Sequence, residues 1–473
     1  MNPAWMPGSF SLNQPAGGNL VFQIISGYLL RYLSFEQVAM AGRTINYLLY
    51  AFPLALVFRR LKISNIEIAF LLQILFFPHQ SVWAGEWVYK NFEEKTLAYI
   101  FVFWSIYYLL KEKPGASSLL AAIATYFHFL VGGWMFSFVF FYFIFRKGFR
   151  SILFPALAYI VLTLPLVVYL AKTYLVNNPS IINGLNTNAL YSFSRLRNHI
   201  GMFSDLSYFV SIHLGGVLIS VAMFVLCIFF FRKFKQYPIK QLNTLNLIIF
   251  TQQFLFIGIG LIDKNGTLMK LYPFRTSTLS ALLFITEATL VIKLYTSNNL
   301  YRLAISKYLH RISPKQRRYA YVNAIHLMLL LFLLPTFAFE LGETIKDRNR
   351  YFEKLDAPML ALIEYARTST PKQAVFLMAD NDMPYSFIRR AERERFVVEK
   401  FTPTSSRTIY EWHKRIVLKE RLRKDITLID SIKTVYRIDF LVSDSAYSLP
   451  ALQLERRFGT HNLYRVINNQ HNE

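Results

Sequence analysis

Over the first 340 residues, apolar runs close to membrane-span length alternate with short polar loops. The runs predict ten transmembrane helices, at roughly 38–58, 64–80, 96–111, 117–131, 132–145, 151–171, 208–231, 243–262, 276–294 and 320–340. Several fall short of the ~20 residues a straight span needs. Between the fourth and fifth runs, Gly132-Gly133 follows His128 and reads as a tight reversal or a re-entrant turn. Residues 20–33 read as an amphipathic helix lying on the membrane surface. From about 342 the periodicity changes. Helices are expected at 356–367 and 406–424, and strands at 374–378, 396–399, 440–442 and 463–467. The expected architecture is therefore mainly α: a polytopic membrane domain over 37–341, a leading segment 1–36, and a small α/β domain over 342–473.

Composition agrees with a membrane class. The chain is 54% apolar, with 44 Phe and 29 Tyr, and its mean hydropathy is +0.31. A net charge of +24 resembles a nucleic-acid signal, but its distribution excludes that partner. Residues 1–340 hold 29 Lys+Arg against 10 Asp+Glu, and the remainder holds 23 against 18. The excess sits between spans. One set of loops carries 19 of those 29 cations, including Arg59-Arg60, Arg146-Lys147, Arg232-Lys233 and the stretch 302–318. That set is expected in the cytoplasm, with both chain ends and the C-terminal domain outside. The lone cysteine, Cys227, lies in an apolar run, facing lipid or filling core, which excludes an intrachain disulfide or a thiolate metal cluster. Segment 1–36 has no basic leader and no cleavage site, so it is no signal peptide. Its expected place outside implies either a first helix upstream of Met1 or a short N-terminus that translocates on its own.

Seven of those ten acidic residues fall on the expected outer side: Glu36, Glu86, Glu93, Glu94, Asp205, Asp263 and Glu340. Carboxylates are costly near lipid, so their collection on one face points to a site, against the plainer reading that they sit where water is. If loop 79–95 is helical, Glu93 and Glu94 share a face with Glu86 two turns away. Glu86 and Glu93 could then hold Mg²⁺ or Mn²⁺, or one glutamate could act as a general base on an acceptor hydroxyl. His79 and His128, at outer span ends, are candidate substrate-binding residues, and His128 could hydrogen-bond a donor phosphate or help bind metal. Arg195, Arg197 and His199 lie in a long outer loop, 172–207. Arg275 follows Pro273 at the start of a span, where backbone N–H groups favour an anion. Each has a bland alternative as a solvated or snorkelling side chain. Glu287, mid-span, is either a functional carboxylate or one that pairs with a polar neighbour such as Thr286 or Thr289. The basic clusters 389–395 and 414–424 are either solvated faces or holders of lipid phosphates or an anionic glycan.

Four passages carry a resemblance: GEWVYKNFEEKTLAY at 85–99, ATYFHFLVGGWMF at 124–136, LYPFRTSTL at 271–279, and TPKQAVFLMADNDMPYSFIRRAERERFVVEKF at 370–401. With the layout of spans they resemble the GT-C superfamily of integral-membrane glycosyltransferases, which includes protein O-mannosyltransferases and lipid A aminoarabinose transferases. The resemblance implies an inverting transferase at the outer face of a bacterial inner membrane. Its donor would be a polyprenyl-phosphate-linked sugar and its acceptor a lipid or glycan. It places loop 79–95 at the family's second acidic outer loop. The family's first span and the catalytic Asp after it have no counterpart here, since residues 1–35 contain no Asp or Glu. A non-catalytic relative that binds a lipid-linked glycan is the alternative. A transporter is a third, though no internal repeat supports it.

Overall fold

The computed structural model describes residues 10, 17–65, 67–69, 71, 80–88, 92–174, 178–199, 205–295, 355–380, 383–384, 386–399 and 405–467. The chain forms two compact units. One comprises Ala16–Leu175 and Ser192–Phe339; the other comprises Met1–Pro15, Val176–Tyr191 and Glu340–Glu473.

The first unit is helical. Its main helices are α1 (Leu20–Leu29), α2 (Phe35–Arg60), α3 (Glu94–Leu110), α4 (Pro114–Phe127), α5 (Phe129–Lys147), α6 (Arg150–Tyr174), α7 (Leu214–Lys233), α8 (Tyr237–Ile262) and α9 (Ser277–Tyr295). Among the described residues, six helical stretches are long and apolar enough to cross a membrane: Phe35–Arg60, Phe129–Lys147, Arg150–Tyr174, Leu206–Lys233, Tyr237–Ile262 and Met269–Leu294. Of the other four expected spans, two appear as the shorter α3 and α4, of 17 and 14 residues. All of 320–340 and most of 64–80 lie outside the described residues. The stretch containing α9 is the most enclosed, 67% buried against 11% for the one containing α7. A side chain carried near α9 is thereby held by neighbours on most sides.

Local sequence explains the helix ends. Ser34 and Gln37 form a capping box at the start of α2, and Arg59 and Arg60 occupy its last turn, where the helix dipole favours cations. Between α3 and α4, Ser105 Oγ donates to Ser117 O at 2.8 Å and Ser117 Oγ to Ser105 O at 2.9 Å. Small hydroxyl residues let these helices approach and bond in an apolar setting. The reversal expected at Gly132-Gly133 occurs instead at His128, which is extended (φ −151°, ψ 107°) between α4 and α5. Both glycines lie inside α5. A Cβ on Gly132 would stand 2.2 Å from Thr125 N, whereas one on Gly133 would meet nothing within 4 Å. Gly132 is thus a close-approach residue rather than a chain breaker.

Glu287 is fully buried on α9. Its partners are not the neighbouring threonines, whose hydroxyls return to their own helix at Leu282 O and Ile285 O. Asn246 Nδ2 donates to it at 2.7 Å, Asn243 Nδ2 also donates, and Cys227 Sγ approaches at 3.6 Å. Cys227 faces this cluster from the core, not lipid.

The second unit is α/β. Its strands β1 (Ile181–Ile182) and β2 (Leu185–Asn186) form a hairpin. Helices α10 (Ala357–Ser369), α11 (Phe387–Ala391), α12 (Ser406–Lys424) and α13 (Ile429–Val435) accompany β3 (Val375–Met378), β4 (Glu394–Arg395), β5 (Phe440–Ser443), β6 (Leu452–Phe458) and β7 (His461–Val466). The sheet order is β4-β3-β5-β7-β6. β3 runs parallel to β4 and β5, and the β5-β7 and β7-β6 pairs are antiparallel. Successive residues of β3 serve two cores. Val375 and Leu377 pack with Trp412, Leu422 and Ile429, and Phe376 and Met378 with Leu362, Ile363 and Phe387. Helices therefore cover both faces, as the unbroken apolar run of β3 requires. The strand expected at 396–399 lies earlier, at β4.

Candidate functional site

Loop 80–93 is not helical where it is described, so the two-turn spacing argument does not apply. Ala84 (φ 65°) and Gly85 (φ 62°) are consecutive left-handed residues, and they turn Glu86 inward. Glu86 N then donates to Ser81 Oγ at 2.9 Å. Three ties hold the turn. Ser277 Oγ, at the start of α9, donates to Trp83 O at 2.9 Å. Trp83 packs on Phe274 with centroids 4.3 Å apart. On α7, Gly216 gives the loop room, since a Cβ there would lie 2.4 Å from Val82 O.

Glu86 is 3% exposed and meets cations on both oxygens. Oε2 lies 3.0 Å from Lys95 Nζ, and Oε1 lies 3.4 Å from Arg275 Nε and 3.8 Å from His199 Nδ1. Lys95 comes from the first turn of α3. It sits over the Trp87 ring at 3.6 Å and 3.7 Å from Glu93 Oε2. Arg275 comes from the 3-10 turn Pro273–Thr276 that leads into α9, and its guanidinium lies 4.2 Å from the Tyr272 ring centroid. Its Nη1 also contacts His128 Nε2. A guanidinium only donates, so that Nε2 carries the lone pair and the ring proton is on Nδ1. The 3.4 Å approach of Val131 N to His128 Nδ1 is then a close contact rather than a cap.

Burial alone would raise the Glu86 pKa. The charges of Arg275, Lys95 and His199 outweigh it and hold the carboxyl below its usual value. Burial lowers the His199 pKa. Its Nδ1 lies 2.6 Å from Ala84 O, which can only accept, so Nδ1 donates and Nε2 is the basic nitrogen. Beside this cluster a small cavity of about 10 Å³, room for about one water, lies between α3, α5 and α9, with Arg275, Thr276, Tyr99 and Trp134 among its lining residues. The arrangement can accept a proton at Glu86 and stabilise an incoming anion at Lys95 and Arg275.

No protein-family model matches this chain, and no curated protein does. Among solved structures it is similar to the crystal structure of an Archaeoglobus fulgidus oligosaccharyltransferase in its apo form. The TM-score is 0.25 and the identity 13%, over 80% of this chain and 46% of that one. The chain spans about half the length of that enzyme, and a likeness at this level assigns no function.

Of the residues singled out in the sequence, Glu86, His128, His199 and Arg275 meet directly, and Glu93 joins through Lys95. Glu93 is also the N-cap of α3, with Thr96 Oγ1 donating to its carbonyl at 2.7 Å, and Glu94 opens that helix, where the dipole favours an acid. Arg197 turns to Asp205 at 2.5 Å and stacks on Tyr208 at 4.2 Å, an exposed pair of its own. Arg195 is half-buried at the end of the π-helical turn Leu190–Arg195. His79 lies outside the described residues. Asp263 caps the following turn, accepting from Leu268 N at 2.7 Å and Met269 N at 3.0 Å. Among the described residues no group of three His, Cys, Asp or Glu could hold a metal ion. Glu86 and Glu93 do not fit Mg²⁺ or Mn²⁺ as placed, because Lys95 contacts both carboxylates. Lys95 itself escaped the sequence reading. Its signal was a cation placed directly after Glu93-Glu94, in a loop that also carries Lys90.

Proposed function

We propose that this chain is a membrane glycosyltransferase that moves a sugar from a polyprenyl-phosphate-linked donor to a hydroxyl of a lipid or glycan acceptor, at the outer face of a bacterial inner membrane. The observation that carries the reading is the buried Glu86 carboxylate held between Lys95 and Arg275. Three of the four passages that resemble GT-C enzymes supply this cluster: 85–99 gives Glu86 and Lys95, 124–136 gives His128, and 271–279 gives Arg275.

Transfer from a phosphate needs a base for the acceptor and positive charge for the leaving group. An incoming donor phosphate competes with Glu86 for Arg275 and Lys95. Glu86, relieved of those cations, becomes a stronger base and takes the acceptor's hydroxyl proton. The acceptor oxygen bonds to the anomeric carbon as the bond from that carbon to the phosphate oxygen breaks. The departing lipid phosphate stays paired with Arg275 and Lys95. No step runs through a metal.

The test is transfer of radiolabelled hexose from polyprenyl-phosphate hexose to extracted membrane lipids by the purified chain in proteoliposomes. Wild type is expected to transfer, and Glu86→Gln to be slower by about 10²–10⁴-fold, the range for loss of a general base. Undiminished transfer by Glu86→Gln overturns the mechanism. The saturation of both Glu86 oxygens also favours a second reading, in which the cluster binds a lipid-linked phosphate without chemistry. Wild-type binding of the donor with no transfer would select it.

A further inference from the structure

Glu287 stands near the middle of α9, and the transfer chemistry at Glu86 makes no use of it. It is fully buried, as are Asn243 and Asn246 on α8. Asn246 Nδ2 donates to its Oε2 at 2.7 Å, Asn243 Nδ2 donates to Oε1, and Cys227 Sγ lies 3.6 Å from Oε2. Asn243 Nδ2 is shared with Cys227 O at 2.8 Å. Every one of these donors is neutral. Among the described residues no Lys, Arg or His reaches this carboxyl group. The other buried carboxyl groups of the helical unit differ. Glu67 lies 2.9 Å from Lys293, and Glu86 lies 3.0 Å from Lys95. Among the described residues of this unit, Glu287 is the buried carboxyl group without a cation.

Two arguments point to the same state of this group. The first is charge. A carboxylate sealed from water without a counter-ion is costly, and such a group takes up a proton instead. A position in the middle of a membrane helix sharpens that cost. The second is the hydrogen-bond inventory. The same two asparagines that hold Glu287 each carry a buried Oδ1 with no partner, so the cluster is rich in acceptors and short of donors. An ionised carboxylate only adds acceptors, whereas a carboxylic acid brings an O–H donor. A proton also needs no cavity, so close packing around α9 is no obstacle to it. We infer that Glu287 is a proton-binding site in the membrane domain, occupied while the ordinary carboxylates of the chain are ionised. The site is separate from the Glu86 cluster and does not depend on whether the chain transfers sugar.

Infrared spectroscopy tests this directly, because a protonated carboxyl group and a carboxylate absorb in separate regions. The full chain is measured in a detergent without ester groups at about pH 6, well above the ~4 at which ordinary Asp and Glu titrate. Wild type is expected to show the band of a neutral carboxyl group, and Glu287→Gln to lose it. Asn246→Ala removes one hydrogen bond to the acid and is expected to shift the band in frequency without abolishing it. That second variant decides the matter if Glu287→Gln fails to fold. A wild-type spectrum with carboxylate bands alone overturns the site. So does a neutral band that survives Glu287→Gln, or one that Asn246→Ala leaves in place.

Discussion

Glu86 shows how one buried carboxylate organises its surroundings. Arg275 and Lys95 reach it from helices far apart in sequence, and each depends on it for compensation. Removing one partner of a buried ion pair leaves the others uncompensated and costs about 3–5 kcal/mol. Glu86→Ala is therefore expected to lower the melting temperature in detergent, read by tryptophan fluorescence. Glu86→Ala with Lys95→Met should recover part of the loss, and additive effects would show that the two residues are not coupled. The same cluster sets a pH dependence. His199 is held below its ordinary 6.5 by burial, so the folded state binds fewer protons than the unfolded one. Its contribution is intact above about 6.5 and is lost as pH falls below that value. Glu86, depressed from 4.5, adds a second loss only below about 4.5. His413, in the other unit, shifts the same way through burial. The informative measurement is therefore the difference between wild type and His199→Gln, whose stability should fall less steeply from pH 6.5 downward. The glutamate, the arginine and both histidines were singled out in the sequence as polar groups in the outer loops or at outer span ends. Lys95 was not, because its neighbours Glu93 and Glu94 offered themselves as its partners.

At the scale of elements, the two glycines of α5 give a paired test. Gly132→Ala forces a methyl into the Thr125 backbone and is expected to cost about 1–3 kcal/mol, the usual penalty for overpacking. Gly133→Ala meets open space and should be neutral or slightly stabilising, since alanine is the better helix former. Equal effects in thermal melts would mean that α4 and α5 do not cross at Gly132. The reversal was misplaced in the sequence because a Gly-Gly pair signals either a turn or a close approach, and composition alone cannot choose between them. Helix α12, in contrast, was read with its observed bounds, since Ser405 caps its start and charge fills its outer face. Strand β6 was missed. Its sequence LQLERRF begins to alternate and then slips, and the structure shows a register shift between Leu454 and Arg456, which moves the later side chains to the other face. The hairpin β1-β2 also went unread, although Asn183-Gly184 supplies the two positive-φ residues of its turn.

At the scale of the molecule, the long loop 172–207 proves to be two pieces. Residues 178–189 belong to the α/β unit, where Asn178 Oδ1 accepts from Ser406 N at 2.7 Å and Asn183 Nδ2 donates to Tyr410 Oη at 3.0 Å. Residues 192–199 belong to the helical unit and deliver His199. Asn178→Ala is expected to speed amide exchange in β1, β2 and the first turn of α12, and to leave α3 and α9 unchanged. Faster exchange throughout both units would show instead that they unfold together. Six of the ten expected spans were legible as long apolar helices, because lipid leaves apolar length as nearly the only choice. The allocation of the loop was not, because it depends on tertiary partners more than two hundred residues away.

One further consequence follows from Cys227. It is the sole sulfhydryl of the chain and is fully buried, out of reach of reagents in solution. The native protein therefore offers a maleimide almost nothing to react with. A cysteine introduced at exposed Asn265 or exposed Arg150 becomes a chemically unique handle without prior removal of any native thiol. Which of the two an impermeant reagent modifies in intact cells then reports directly which side of the bilayer each loop occupies.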